Sequence, residues 1–178
     1  ECDTPLSGED KAPPIVWACE KGSADVVQAI LTKNPELVKA KDQKGWGPLL
    51  TAAHYGNVAC IHALLDYNAH KTEGMRALGA CIAQMENAAA IVLLNEGEFD
   101  AKMLDSAPLV AMAATTDNAT VLEELLKLGA SVNNEDSDGL TPLHIALEKD
   151  MPKTKVIRLL LDHGAKVDTK ALEIRNID

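Results

Sequence analysis

The sequence predicts an all-α solenoid of about five helix-turn-helix repeats. Three observations predict it. One supersecondary pattern recurs along the chain, which is the mark of a repeat architecture. Alanine and leucine dominate while aromatics make up only 3%, a balance that suits thin, closely packed helices better than a β-sandwich. Finally, leucine pairs followed by glycine close several of the units, as buried helical stripes ended by a left-handed residue would.

The first unit opens Pro13-Pro14-Ile15-Val16-Trp17-Ala18-Cys19 and continues Val26-Val27-Gln28-Ala29-Ile30-Leu31. The second runs Gly45-Trp46-Gly47-Pro48-Leu49-Leu50-Thr51-Ala52-Ala53, with Val58 to Leu65 as its second helix. A degenerate third holds Arg76-Ala77-Leu78-Gly79-Ala80-Cys81-Ile82 and ends Ile91-Val92-Leu93-Leu94-Asn95-Glu96-Gly97. The fourth is Ala107-Pro108-Leu109-Val110-Ala111-Met112-Ala113, then Val121 to Leu126 and Gly129-Ala130. The fifth reads Asp138-Gly139-Leu140-Thr141-Pro142-Leu143-His144-Ile145-Ala146, followed by Val156 to Ala165. Proline suits a first helical turn, where its missing N–H has no partner to lose, and Thr141 can cap the orphan amides there. Small residues such as Ala18, Ala52, Ala113 and Ala146 let first helices approach closely. Gly97, Gly129 and Gly164 are placed to end second helices in the left-handed conformation.

The fifth unit closely resembles the ankyrin repeat: a turn, a TPLHxA helix start, then a VxxLLxxGA second helix. Taking Pro14, Pro48, Ala77, Pro108 and Pro142 as equivalent gives steps of 34, 29, 31 and 34 residues, bracketing the period of about 33 typical of that family. The resemblance covers nearly the whole chain. It implies one repeat domain over 12–168, divided near 12–41, 42–70, 71–100, 101–135 and 136–168. A polar segment, 1–11, precedes it, and a tail or cap, 169–178, follows it. The shortfall in spacing lies at Asn68 to Arg76 and Gly97 to Ala107, where the family has short β-hairpin fingers, so the resemblance implies that the middle fingers are truncated. Fuller fingers are expected at Ala40–Gly47 and Val132–Leu140, giving an uneven rim with a notch near its middle. Pro152 implies a longer loop between the last two helices. Leu50, Gly79 and Val110 stand where His144 stands, so the histidine's capping network is expected to be complete once.

A net charge of −10 makes nucleic acid and anionic membrane poor partners, and no apolar run approaches the ~18 residues of a membrane span. Cys2, Cys19, Cys60 and Cys81 form no CxxC, and His54, His62 and His70 recur without a ligand motif. No metal, cofactor or catalytic residues are assigned. The cysteines other than Cys2 read as core thiols, and no phosphate-binding glycine loop occurs. Asn118-Ala119-Thr120 fits a glycosylation sequon, relevant only in an exported chain. The sequence begins Glu1-Cys2-Asp3. An intracellular protein is the default, and a trimmed sequence or a mature exported chain both account for the missing methionine.

Function is therefore expected at a protein-binding face, which in ankyrin proteins lies on the fingertips and exposed first-helix surfaces. Carried over residue by residue, that face comprises Gln43, Lys44, Trp46, His54 and Tyr55 in the second repeat. It adds Glu73, Met75, Gln84, Met103 and Ser106 in the middle, then Ser137, Asp138, Leu140, Glu148 and Lys149 in the last. Trp46 has no role in the repeat pattern, and tryptophan is a frequent binding anchor. Trp17 reads as packing, and Phe99 as either lining or filling the notch. The expected function is a non-enzymatic module, monomeric on its own, that masks or inhibits a folded partner protein. The alternatives are an adaptor joining two partners and an exported, immunity-like enzyme inhibitor.

Overall fold

The computed structural model describes residues 12–136, 138–147 and 153–168. Among these, ten helices form five antiparallel pairs: α1 (Pro14–Glu20) with α2 (Ala24–Lys33), α3 (Pro48–His54) with α4 (Val58–Leu65), and α5 (His70–Gln84) with α6 (Asn87–Glu96). After the short α7 (Ala101–Leu104) come α8 (Leu109–Thr115) with α9 (Ala119–Lys127), then α10 (Pro142–Leu147) with α11 (Thr154–Asp162). First helices α1, α3, α5, α8 and α10 touch in succession, and so do second helices α2, α4, α6, α9 and α11. The result is a two-layer, all-α solenoid. Four of the first helices have only six or seven residues, too few to persist alone in water. Their stability comes from a core that runs unbroken from Ile15 to Leu160.

The turn inside each pair fixes the register. Gly22, Gly56, Met85 and Asp117 all have positive φ and stand immediately before Ser23, Asn57, Glu86 and Asn118, which begin the second helices. Counting back from Asp117 makes Leu109, not Pro108, the equivalent of Pro48; Pro108 caps α8 from outside.

Polar ties then join neighbouring pairs. Asn57 Nδ2 donates to the carbonyls of Cys19 (2.7 Å) and Glu20 (3.2 Å) at the end of α1. At the equivalent place in the last pair, Lys153 Nζ donates to the carbonyls of Ala114 and Thr115 at the end of α8. In the third pair Glu86 holds this position and its carboxylate cannot donate. There the Cys81 thiol takes over, donating to the Ala53 carbonyl at 3.5 Å.

Several expectations need correction. The two shortened connections are not truncated hairpins around an open notch. One has become extra turns of α5, which starts at His70 and runs 15 residues. The other holds α7. Phe99 is buried and fills the space: a Cβ on Gly74 would lie 2.9 Å from its ring, and one on Gly97 would lie 2.5 Å from it. Gly97 is therefore a packing glycine with φ −83°, and the left-handed residue is Glu98, φ +53°. Gly129 and Gly164 do take positive φ. The expected end segments 1–11 and 169–178, and the loop around Pro152, lie outside the described residues.

Candidate protein-binding face

Two loops on the rim are built alike. Asp42 Oδ1 accepts from the Lys44 and Trp46 amides at 2.9 and 2.7 Å, and the Asp42 amide donates to the Trp46 carbonyl at 2.9 Å. Asp136 does the same for Asp138 and Leu140, both at 2.9 Å, with its own amide 3.0 Å from the Leu140 carbonyl. An aspartate that mimics backbone in this way holds a tight turn without a strand ladder, and no strand occurs among the described residues. These turns occupy the two places where fuller fingers were expected, and they present Gln43, Lys44 and Asp138 to solvent.

Trp46 is half-buried, edge-on to His54 with ring centroids 4.9 Å apart, and His54 is edge-on to Tyr55 at 5.1 Å. Such geometry matches the aromatic quadrupole. The three rings form one cluster whose outer member, Tyr55, is 50% exposed. Gln84 and Ser106 are exposed, Met103 is partly so, and Met75 and Leu140 are half-buried. Met103 and Ser106 sit together at α7, where Asp100 caps the helix through the Met103 amide (2.7 Å) and the Ser106 hydroxyl donates to the Met103 carbonyl (2.6 Å). Ser137, Glu148 and Lys149 lie outside the described residues.

Glu73 does not belong to the face. Its side chain is 4% exposed, and its carboxylate lies under the start of α3, where Oε2 accepts from the Leu50 amide at 3.4 Å. The extension of α5 turns this residue inward. Trp17, expected in the core, is 53% exposed: α1 buries Ile15, Val16, Ala18 and Cys19 and leaves Trp17 on the open side. Register places it level with Thr51, Ala80, Met112 and Ile145. The missed signal was that the alanine beside it, Ala18, already fills the core position. Met85 was also missed; it is 55% exposed despite φ +60°.

Other candidate chemistry resolves into structure. Cys19, Cys60 and Cys81 are buried free thiols; burial pushes all three upward, Cys81 to about 12. Asn118 of the sequon is buried, capping α9 through the Val121 amide (3.2 Å) and donating to Asn87 Oδ1 (2.6 Å). Among the described residues no group of three His, Cys, Asp or Glu side chains could hold a metal ion, and no helix is long and apolar enough to cross a membrane.

The family model for ankyrin repeats (3 copies) matches residues 15–105 and 83–171. The chain is 29% identical over 172 residues to "Potassium channel AKT2/3" of Arabidopsis thaliana, covering 89% of this chain and 20% of that protein. It is 27% identical to "Putative ankyrin repeat protein FPV244" of Fowlpox virus, covering 84% and 23%. It thus spans about a fifth of the length of these two relatives. With "Probable 26S proteasome regulatory subunit p28" of Saccharomyces cerevisiae it shares 25% identity, over 90% of this chain and 74% of that one. Ankyrin repeats are in general protein–protein interaction modules. With stacked helix pairs, the TPLH start and a family match over most of its length all in agreement, the chain belongs to the ankyrin-repeat family.

Proposed function

We propose that this solenoid is a non-enzymatic recognition module that captures a folded partner protein across its exposed first-helix face and rim loops, masking the surface it covers. The observation that carries this reading is the Trp46–His54–Tyr55 cluster. Its rings are ordered against one another, yet Tyr55 is half in solvent, where it adds little to the core. An ordered, exposed aromatic is the usual anchor of a binding site, because little side-chain entropy is lost when a partner covers it. A standard interface of about 1,600 Å² fits a face of this kind.

The adaptor reading is favoured by one observation. Residues 12–86 carry seven acidic and seven basic side chains, whereas residues 87–168 carry fourteen and seven. Two halves of such different charge suit two different partners. Pull-down from source-cell lysate with wild type and the Trp46→Ala/Tyr55→Ala variant, matched for folding by circular dichroism, tests the binding face. A partner lost with the variant supports it, and identical recoveries reject it. Light scattering on the recovered complex then separates a one-to-one mask from a ternary adaptor.

A further inference from the structure

The first three helix pairs each leave one large apolar side chain in solvent, on the first helix or at its C-terminal cap: Trp17 (53% exposed), Tyr55 (50%) and Met85 (55%). The fourth pair offers the half-buried Met112, then Thr116 and Asp117, at the corresponding places, so the exposed apolar stripe stops there. Met85 occupies a left-handed position that glycine fills in the first two pairs, a conformation disfavoured for a bulky side chain. Its reward is not burial. The rim loop before α3 and the start of α5 carry Lys41, Lys44 and Arg76, which are exposed and, among the described residues, have no carboxylate within ion-pair distance, although Arg76 also donates to the Gly45 carbonyl at 3.2 Å. The acids nearest in sequence are already engaged: Asp42 holds its turn, Glu36 pairs with Lys39, and Glu73 is buried.

Resting on the binding role proposed above, we infer that this stripe seats an acidic amphipathic α-helix of the partner, its apolar face on Trp17, Tyr55 and Met85 and its acidic flank toward Lys41, Lys44 and Arg76. Spacing selects a helix over a strand. First helices in contact stand roughly 8–10 Å apart, so Tyr55 and Met85 repeat at about that distance. Trp17 lies one helical turn back, which lengthens that step to roughly 11 Å. Seven residues of α-helix rise about 10.5 Å and return to the same face within about 20°. Same-face residues of a strand recur at about 6.7 or 13 Å and match neither step. The cationic rim then selects acidic over basic flanks, despite the chain's overall negative charge.

The test uses three labelled peptides of about 18 residues, long enough for two such steps. One is helical, with leucines at i, i+7 and i+14 and glutamates along one flank; the second replaces glutamate by lysine. The third has the first one's composition but alternates leucine with polar residues. Fluorescence anisotropy with the full chain should show the first binding at least about tenfold more tightly than the others, and weakening with salt. Tyr55→Ala and Lys41→Glu/Lys44→Glu should each cost about tenfold in Kd without changing thermal unfolding. Equal binding of the lysine or alternating peptide, or no binding by any, overturns the inference. So does sedimentation showing a dimer of this chain that Tyr55→Ala dissolves, since the occupant is then a second copy. If the peptides fail while lysate still yields a Tyr55-dependent partner, the inference falls and the recognition role stands.

Discussion

The starts of α3 and α10 occupy the same place in their helix pairs and solve the same problem in opposite ways. At α10 the cap is local. The Thr141 hydroxyl faces the His144 amide (3.4 Å), His144 Nδ1 accepts from the Thr141 amide (3.0 Å), and Asp168 holds His144 Nε2 at 2.8 Å. At α3 glycine and leucine replace threonine and histidine, so neither side chain can cap. A carboxylate from the next pair, Glu73, enters and accepts from the Leu50 amide, in the space left free by Gly47. Orphan amides need a partner wherever they are buried, but the partner need not belong to the same repeat. A local cap leaves a helix start self-sufficient, whereas a borrowed one makes it depend on its neighbour.

Breaking the borrowed cap should have the largest effect. A Cβ at Gly47 would stand 2.3 Å from the Glu73 carboxylate, so Gly47→Ala should cost about 2–3 kcal/mol in chemical denaturation. The same change in a Glu73→Ala background should cost much less, and additive losses in that double-mutant cycle would show that the two do not share one site. His144→Leu removes a histidine hydrogen-bonded at both ring nitrogens and should cost about 1.5 kcal/mol. It should act on the last pairs alone, which hydrogen exchange can resolve. Adding Gly47→Thr and Leu50→His to Glu73→Ala should recover part of the stability lost at α3, if the local cap is sufficient.

Asn57→Ala, which unties α1 from the second pair, should cost about 1 kcal/mol. The smallest effect concerns the thiols. Burial and, secondarily, the Glu86 charge hold Cys81 at about 12 against an ordinary 9.0. Its neutral form therefore contributes stability that is complete below about 9 and lost as pH rises toward 12. Native alkylation should be slow and follow unfolding; rapid labelling of the folded chain would contradict this burial.

The fold was legible in the sequence wherever local chemistry repeats. The TPLH start occurs once, prolines open three of the first helices and leucine pairs recur in four of the second helices, and these short-range signals reinforce one another. The middle was harder because its signals are long-range. Nothing near Asn68–Arg76 distinguishes a short finger from an extended helix until the inward turn of Glu73 is known. Gly47 was read as part of a finger, when its lack of a side chain makes room for an acid 26 positions later in the chain. The rim loops carrying Gln43, Lys44, Trp46 and Asp138 followed from register. Trp17 did not, because a tryptophan in an apolar run reads as core unless the neighbouring alanine is counted first.

The burial of Glu73 also bears on how the molecule comes apart. In a stack held by nearest-neighbour contacts, unravelling proceeds from the ends and halts at the strongest junction. The most extensive contact between helices joins α3 to α5, with Glu73 buried between them and Phe99 packed against Gly74 and Gly97 on the far side of α5. A protease nibbling at a partly opened chain should therefore leave a resistant kernel of α3 to α6, so the degenerate repeat would be the last part of the molecule to be lost.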